Sequence, residues 1–206
     1  MDDRLYAPAT ERNRDAILAV LKDELRSPGT VLEIASGTGE HGAYFAPQLP
    51  DYFWQPSDPN EESRRSIAAW RSHVNAPNLG EAIAIDVTRS DWVESVPEFP
   101  QPVVAIAAIN LIHISPWEAT LGLFAGAKQL LSVDGLIYLY GAYKRGGQHT
   151  APSNEAFDAS LQARNPAWGA RNLEDVTAVA EAEQFRLDRI VEMPSNNLSV
   201  CFRAIA

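Results

Sequence analysis

The apolar positions of this chain fall into two rhythms. In residues 10–25 they recur as Ile17, Leu18, Leu21 and Leu25, the spacing of one helical face, with Thr10 placed to cap it and Pro28-Gly29 to end it. Residues 60–74 repeat the rhythm with Ile67, Trp70 and Val74, and 117–131 and 173–184 read as further helices. A short helix is predicted over 91–96, closed by Pro97. Between them lie compact apolar runs at 31–35, 52–55, 82–87, 103–110, 136–140, 187–193 and 198–205, which read as strands. The run 103–110 is nearly all apolar, as suits a central parallel strand covered on both faces. The last two runs are separated only by Pro194-Ser195-Asn196-Asn197, a link that permits a hairpin and hence an antiparallel last strand. Alternating strands and helices predict an α/β, doubly wound, seven-stranded, mostly parallel sheet in one domain over residues 1–206. The pattern is lost between 141 and 171, apart from one short helix near 154–164, and 144–171 reads as a lid-like insertion.

Candidate chemistry begins where the first strand ends. Val31-Leu32-Glu33-Ile34 breaks into Ala35-Ser36-Gly37-Thr38-Gly39-Glu40-His41-Gly42, the order of strand, tight loop and helix start. Glycines there permit positive φ and close approach of a ligand, and the free N–H groups of a helix start suit an anionic one. A nucleotide-like cofactor is expected. Gly37, Gly39 and Gly42 satisfy G-x-G-x-x-G, which opens the NAD reading. Glu33 opens another, because a charge inside a strand needs a partner. Acidic-x-x-x-Gly-x-Gly resembles motif I of class I S-adenosylmethionine-dependent methyltransferases. The resemblance implies a loop cradling the cofactor's methionine part, with Glu33 ordering that loop or meeting the amino group. Asp58 ends the second strand at the distance of a ribose-binding carboxylate; its alternative role is to cap the helix that begins near Asn60. Asp86, followed by Val87, ends the third strand where methyltransferases carry an adenine-contacting acid; its alternative role is a turn residue. Three successive strands each with a carboxylate, at Glu33, Asp58 and Asp86, favour the methyltransferase reading.

Composition narrows the partners. The chain has 206 residues, 46% of them apolar, and 27 acidic against 17 basic side chains, for a net charge of −10. The basic residues are scattered, which argues against a nucleic acid, whose phosphates need clustered Lys and Arg. The one cysteine, Cys201, excludes an intramolecular disulfide and reads as a core residue. Met1-Asp2-Asp3-Arg4 lacks the basic start of a signal peptide, and no apolar run reaches membrane-spanning length. The expectation is a soluble cytoplasmic protein that acts on a small molecule, with no membrane partner and with a homodimer permitted but not required.

A narrower resemblance rests on linked motifs. They are Glu11-Arg12-Asn13, the glycine loop, Gln55-Pro56-Ser57-Asp58-Pro59, Asn110-Leu111-Ile112-His113-Ile114-Ser115-Pro116-Trp117, Tyr140-Gly141-Ala142-Tyr143-Lys144 continuing to Asn154, and Pro194-Ser195-Asn196-Asn197-Leu198. Together they resemble the DUF938, or methyltransferase-like 26, family across nearly the whole chain. The resemblance implies the Rossmann-like class I methyltransferase fold and S-adenosylmethionine, but no particular acceptor. Ala142-Tyr143 departs from the Pro-Phe-like pair expected there.

Ligands of open α/β sheets lie beyond the carboxyl ends of the strands. That places Asn110 beside the methyl-bearing part of the cofactor and His41 near its carboxylate. His113 is the candidate general base, since a near-neutral pKa suits that role; its alternative is a loop hydrogen bond. Tyr143 and Trp117 are expected to wall a small acceptor, with core packing as the alternative. Arg12, Asn13, Tyr140, Lys144, His149 and Asn154 complete the candidate acceptor site, Glu155 lies with the last two in the lid-like insertion, and Asn196 and Asn197 are expected further from the cofactor. His113, His149 and Asp86 show no metal-ligand spacing, so no metal is expected. A non-catalytic cofactor binder, serving as sensor or assembly subunit, stands as the alternative to an enzyme, with an NAD-dependent oxidoreductase behind it.

Overall fold

The computed structural model describes residues 3–205. Met1, Asp2 and Ala206 lie outside the described residues, and with them part of the segment read above for a targeting signal. Helix α1 spans Pro8–Glu24, β1 Gly29–Ile34, α2 Glu40–Phe45, β2 Tyr52–Pro56, α3 Glu61–Val74, β3 Val103–Ile109, α4 Trp117–Leu130 and β4 Leu136–Gly141. Then come β5 Tyr143–Arg145, β6 Gln148–His149, α5 Pro152–Arg164, β7 Arg171–Asn172, α6 Leu173–Ala182, β8 Phe185–Met193 and β9 Asn197–Ala204. The main sheet runs β2-β1-β3-β4-β9-β8, parallel from β2 to β4 and antiparallel at β9 and β8.

The uniformly apolar strands resolve into two faces because successive side chains of a strand point to opposite sides. Leu32, Ile34, Ile106, Ala108, Ile137 and Leu139 face α4 and α6, where Leu123, Phe124 and Val176 complete one core. Val31, Ala105, Ala107, Tyr138 and Cys201 face the other way, onto Ile17, Leu18 and Leu21 of α1 and Phe45 of α2. Glu33 shares that second face, so its carboxyl lies under α2 rather than in solvent.

Two expectations change. The third predicted strand, 82–87, is not one: the sheet has six strands, and the chain beyond α3 only bridges β2 at Trp54–Leu79 and Ser57–Ile83. That ribbon occupies the edge beside β2 and pairs on one side. The buried Gln55 amide also donates to the Glu81 carbonyl, which takes an acceptor from the ladder. Helix α1 begins at Pro8 with Ala7 at the cap, and no side chain caps it. Proline needs no N–H partner in the first turn, and Thr10 is buried inside that turn instead.

The stretch with no legible pattern contains a second small sheet, in the order β6-β5-β7. Gly146 and Gly147, both at positive φ, turn β5 back into β6. Asp158 of α5 holds this unit together. Its carboxylate meets Lys144 at 2.7 Å and His149 at 3.3 Å, and it accepts from the Ala170 N–H and the Gln162 amide.

Candidate functional site

The carboxyl ends of β1, β2 and β3 meet at one edge, and the backbone there is unusual. Ala35 after β1 and Asn110 after β3 both sit at positive φ, at 55° and 60°. Such conformations cost energy in a non-glycine residue and gather at functional sites. Gly37 and Gly39 extend the left-handed run. A side chain on Gly39 would strike Ile67 of α3 at 2.8 Å, whereas one on Gly37 would meet nothing within 4 Å. Gly39 therefore seats the loop on α3, and Gly37 leaves its own surface open.

Carboxylates organise this loop. Asp58 accepts from the Gly37 N–H at 2.9 Å and from the Asn60 N–H at 2.9 Å. It does not cap α3; Asn60 does, accepting from Glu62 and Ser63. Glu33 is 1% exposed and accepts from the Trp54 indole at 3.0 Å. Burial pushes its pKa up to about 7, against the opposing pull of the Trp54 and Ser36 hydrogen bonds. Glu33 thus braces the floor of the loop from below. Asp86 closes an Asx turn by accepting from the Thr88 N–H and hydroxyl, so the turn role is real, and it also lines a cleft.

Two clefts open at this edge. The first, of about 420 Å³, has Asp58 and Asp86 among its walls, with Val87, Leu111, Ile114 and Trp168 as the apolar part. The second, of about 270 Å³, brings together Arg12 and Asn13 from α1, Asn110, Tyr140 from β4 and Asn154 from α5. Its floor is a polar chain. The His41 Nε2 lies 2.9 Å from the Asn13 amide oxygen, and the Tyr140 hydroxyl is bonded to Asn13 and Asn197. Asn197 in turn donates to the Pro194 carbonyl. Burial, with help from nearby Arg14, lowers the His41 pKa to about 4, so its ring is neutral.

Other candidates stand elsewhere. His113 and Tyr143 are fully buried, pack edge to face at 5.1 Å and line neither cleft. The Nε2 of His113 lies 2.1 Å from where a Gly141 Cβ would be, which puts the ring behind the β4 backbone. Burial, then the Arg171 charge, lowers its pKa to about 3. Lys144 and His149 are engaged by Asp158, and Trp117 lies under the Arg171 guanidinium at 5.6 Å, away from both clefts. Asn154 lines the second cleft while donating to the Asn196 carbonyl and the Thr150 hydroxyl. Among the described residues, no group of three His, Cys, Asp or Glu is placed to hold a metal.

The sequence pattern of the family described as "protein of unknown function (DUF938)" matches residues 4–204. The chain belongs to the DUF938 family. Solved structures with the same fold include the mitomycin 7-O-methyltransferase MmcR, with TM-score 0.78 at 12% identity over 95% of this chain and 54% of that one. The pyocyanin biosynthetic protein PhzM gives 0.74 at 15% identity, over 95% and 55%. CalO1, a methyltransferase of calicheamicin biosynthesis in its SAH-bound form, gives 0.69 at 15%, over 93% and 54%. This DUF938 chain therefore has the class I methyltransferase fold, and it spans about half the length of the structures it matches.

Ser195 and Asn197 of the last hairpin also wall the second cleft, and neither lines the first. The signal was available: a strand antiparallel to β4 must begin at the edge where β4 ends, which brings the β8–β9 turn to the site. Phe157 and Trp168 had no such signal, since their positions depend on how the insertion folds back.

Proposed function

We propose that this protein is an S-adenosylmethionine-dependent methyltransferase acting on a small molecule. The observation that carries the reading is the Asp58–Gly37 bond beside the first cleft. One carboxylate orders a loop whose half-buried Gly37 leaves room beside its Cα, and a second, Asp86, lines the same cavity. That donor set fits an adenosine: Asp58 for the ribose hydroxyls, Asp86 for the adenine amino group, and Leu111, Ile114 and Val87 for the flat faces of the base. Gly37, Gly39 and Asn110 would then border the methionine part, and the second cleft would take the acceptor.

Bound there, the cofactor supplies an activated methyl group, and the protein aligns acceptor and methyl and excludes water. Arg12, Asn13 and Tyr140 orient the acceptor. Glu33 and Trp54 keep the loop rigid from beneath, and Asp158 holds the insertion over the acceptor side.

Thermal unfolding tests the reading. S-adenosylhomocysteine at about a hundredfold its Kd should add roughly 2.7 kcal/mol of stability, several degrees in a chain of this size. NAD should add none. A shift with NAD and none with S-adenosylhomocysteine would replace the reading with an oxidoreductase.

A further inference from the structure

The second cleft carries one formal charge, and that charge is positive. The chain is strongly acidic, yet no Asp or Glu is among the residues lining this cavity. Arg12 stands at its rim, exposed, and makes no hydrogen bond or ion pair with any described residue. The remaining polar lining is amide and hydroxyl, groups that do not act as bases near neutral pH. Asn13 and Asn197 are both hydrogen-bonded to Tyr140, and the Asn13 oxygen lies 2.9 Å from the Nε2 of the neutral His41. Burial raises the Tyr140 pKa. No lining side chain is thus available to take a proton, and His113 is sealed behind Gly141.

We propose that the second cleft takes a small carboxylic acid, whose carboxylate pairs with Arg12 and is itself the methyl-accepting group. This rests on the methyltransferase reading above. A carboxylate meets both observations: it answers a lone guanidinium, which matches its geometry in a two-pronged contact, and it arrives without a proton to remove. An oxygen lone pair forms the bond to the methyl carbon as the carbon–sulfur bond breaks. The electron pair of that bond stays on sulfur, and the products are a neutral methyl ester and a neutral thioether. An ammonium, alcohol or amide acceptor would instead have to lose a proton in a cavity that has no base.

The test uses the full chain saturated with S-adenosylhomocysteine and three matched probe pairs: benzoate and benzamide, phenylacetate and phenylacetamide, succinate and succinamide. Binding is read by calorimetry. At least one acid is expected to bind in preference to its amide, and Arg12→Gln is expected to weaken that acid roughly tenfold or more, the loss of a charge-assisted pair. Arg12→Lys should recover part of the affinity. Preference for no acid, equal binding of acid and amide, or indifference to Arg12→Gln would overturn the inference. A second arm compares S-adenosylhomocysteine with 5′-methylthioadenosine, which lacks the amino-acid part. If Arg12→Gln weakens only the former, Arg12 holds the cofactor's own carboxylate and the inference falls, while the methyltransferase reading stands. If S-adenosylhomocysteine does not bind the unaltered protein at all, it is that reading which has failed.

Discussion

At the residue scale, two buried contacts decide what can be changed. A methyl group at position 141 would lie 2.1 Å from the His113 ring. Gly141→Ala should therefore cost about 1–3 kcal/mol by overpacking, measured by denaturant unfolding. Adding His113→Ala should relieve part of that cost, so the double variant should be more stable than the two losses summed; strict additivity would mean that the two residues do not compete for space. Glu33 makes a different prediction. Its folded pKa of about 7 exceeds the ordinary carboxyl value of 4.5, so the folded state binds its proton more tightly. The stability this adds is fully present below pH 4.5 and is lost as pH rises through 7. Glu33→Gln should therefore gain on the wild type between pH 4.5 and 7, by up to about 1.4 kcal/mol per pH unit, and level off above that. A difference that does not change with pH would show that Glu33 titrates normally.

At the element scale, one carboxylate gathers the strands and helix of the insertion. Asp158 lies on α5 and receives bonds from β5, β6 and the chain entering β7. Removing one partner of a buried ion pair costs about 3–5 kcal/mol. The figure here should fall toward the lower end, because the Lys144 side chain is still 22% exposed. Asp158→Asn should speed amide hydrogen exchange across residues 143–172 and leave β1 and β3 unchanged. Uniform acceleration would mean that the insertion is part of the global folding unit. The opposite end of the sheet also holds a cavity, of about 350 Å³, but its buried Arg203 is already bonded to Glu24, Asp188 and the Asp134 carbonyl. That arginine ties α1 to β9 with four of its five N–H groups.

At the scale of the whole molecule, the buried histidines oppose Glu33. His41 and His113 have folded pKa values of about 4 and 3, below the usual 6.5. Both must become charged on unfolding in acid, so the stability they add is present above pH 6.5 and is lost as pH falls toward those values. Between pH 4.5 and 6.5 two groups stabilise with rising pH and one destabilises. Replacing His41 with Gln should therefore flatten the acid limb of the stability curve; an unchanged limb would sink the assignment. S-adenosylhomocysteine should protect amides in the glycine loop and around residue 86 together, because both border one cleft. Protection at only one of the two would show that the first cleft is not a single site.

Elements whose cues are local were legible in the order of the residues. Alternating runs marked the strands, Asn60 marked a helix start, and the short Pro194–Asn196 link marked an antiparallel end. The same order also marked the glycine loop and Asp58, because tight turns and strand ends carry their chemistry within a few residues. Tertiary structure alone decided which side chains face a cavity. His113 and Arg12 lie 101 positions apart in the chain, and nothing local says that one is sealed behind a glycine while the other stands free at a rim. Whether a strand reaches both neighbours is likewise a property of the assembled sheet, which is why residues 82–87 have the composition of a strand and the pairing of an edge ribbon. Burial, and with it charge state, is set by what packs from elsewhere in the chain, and the choice between a base and a brace was made there.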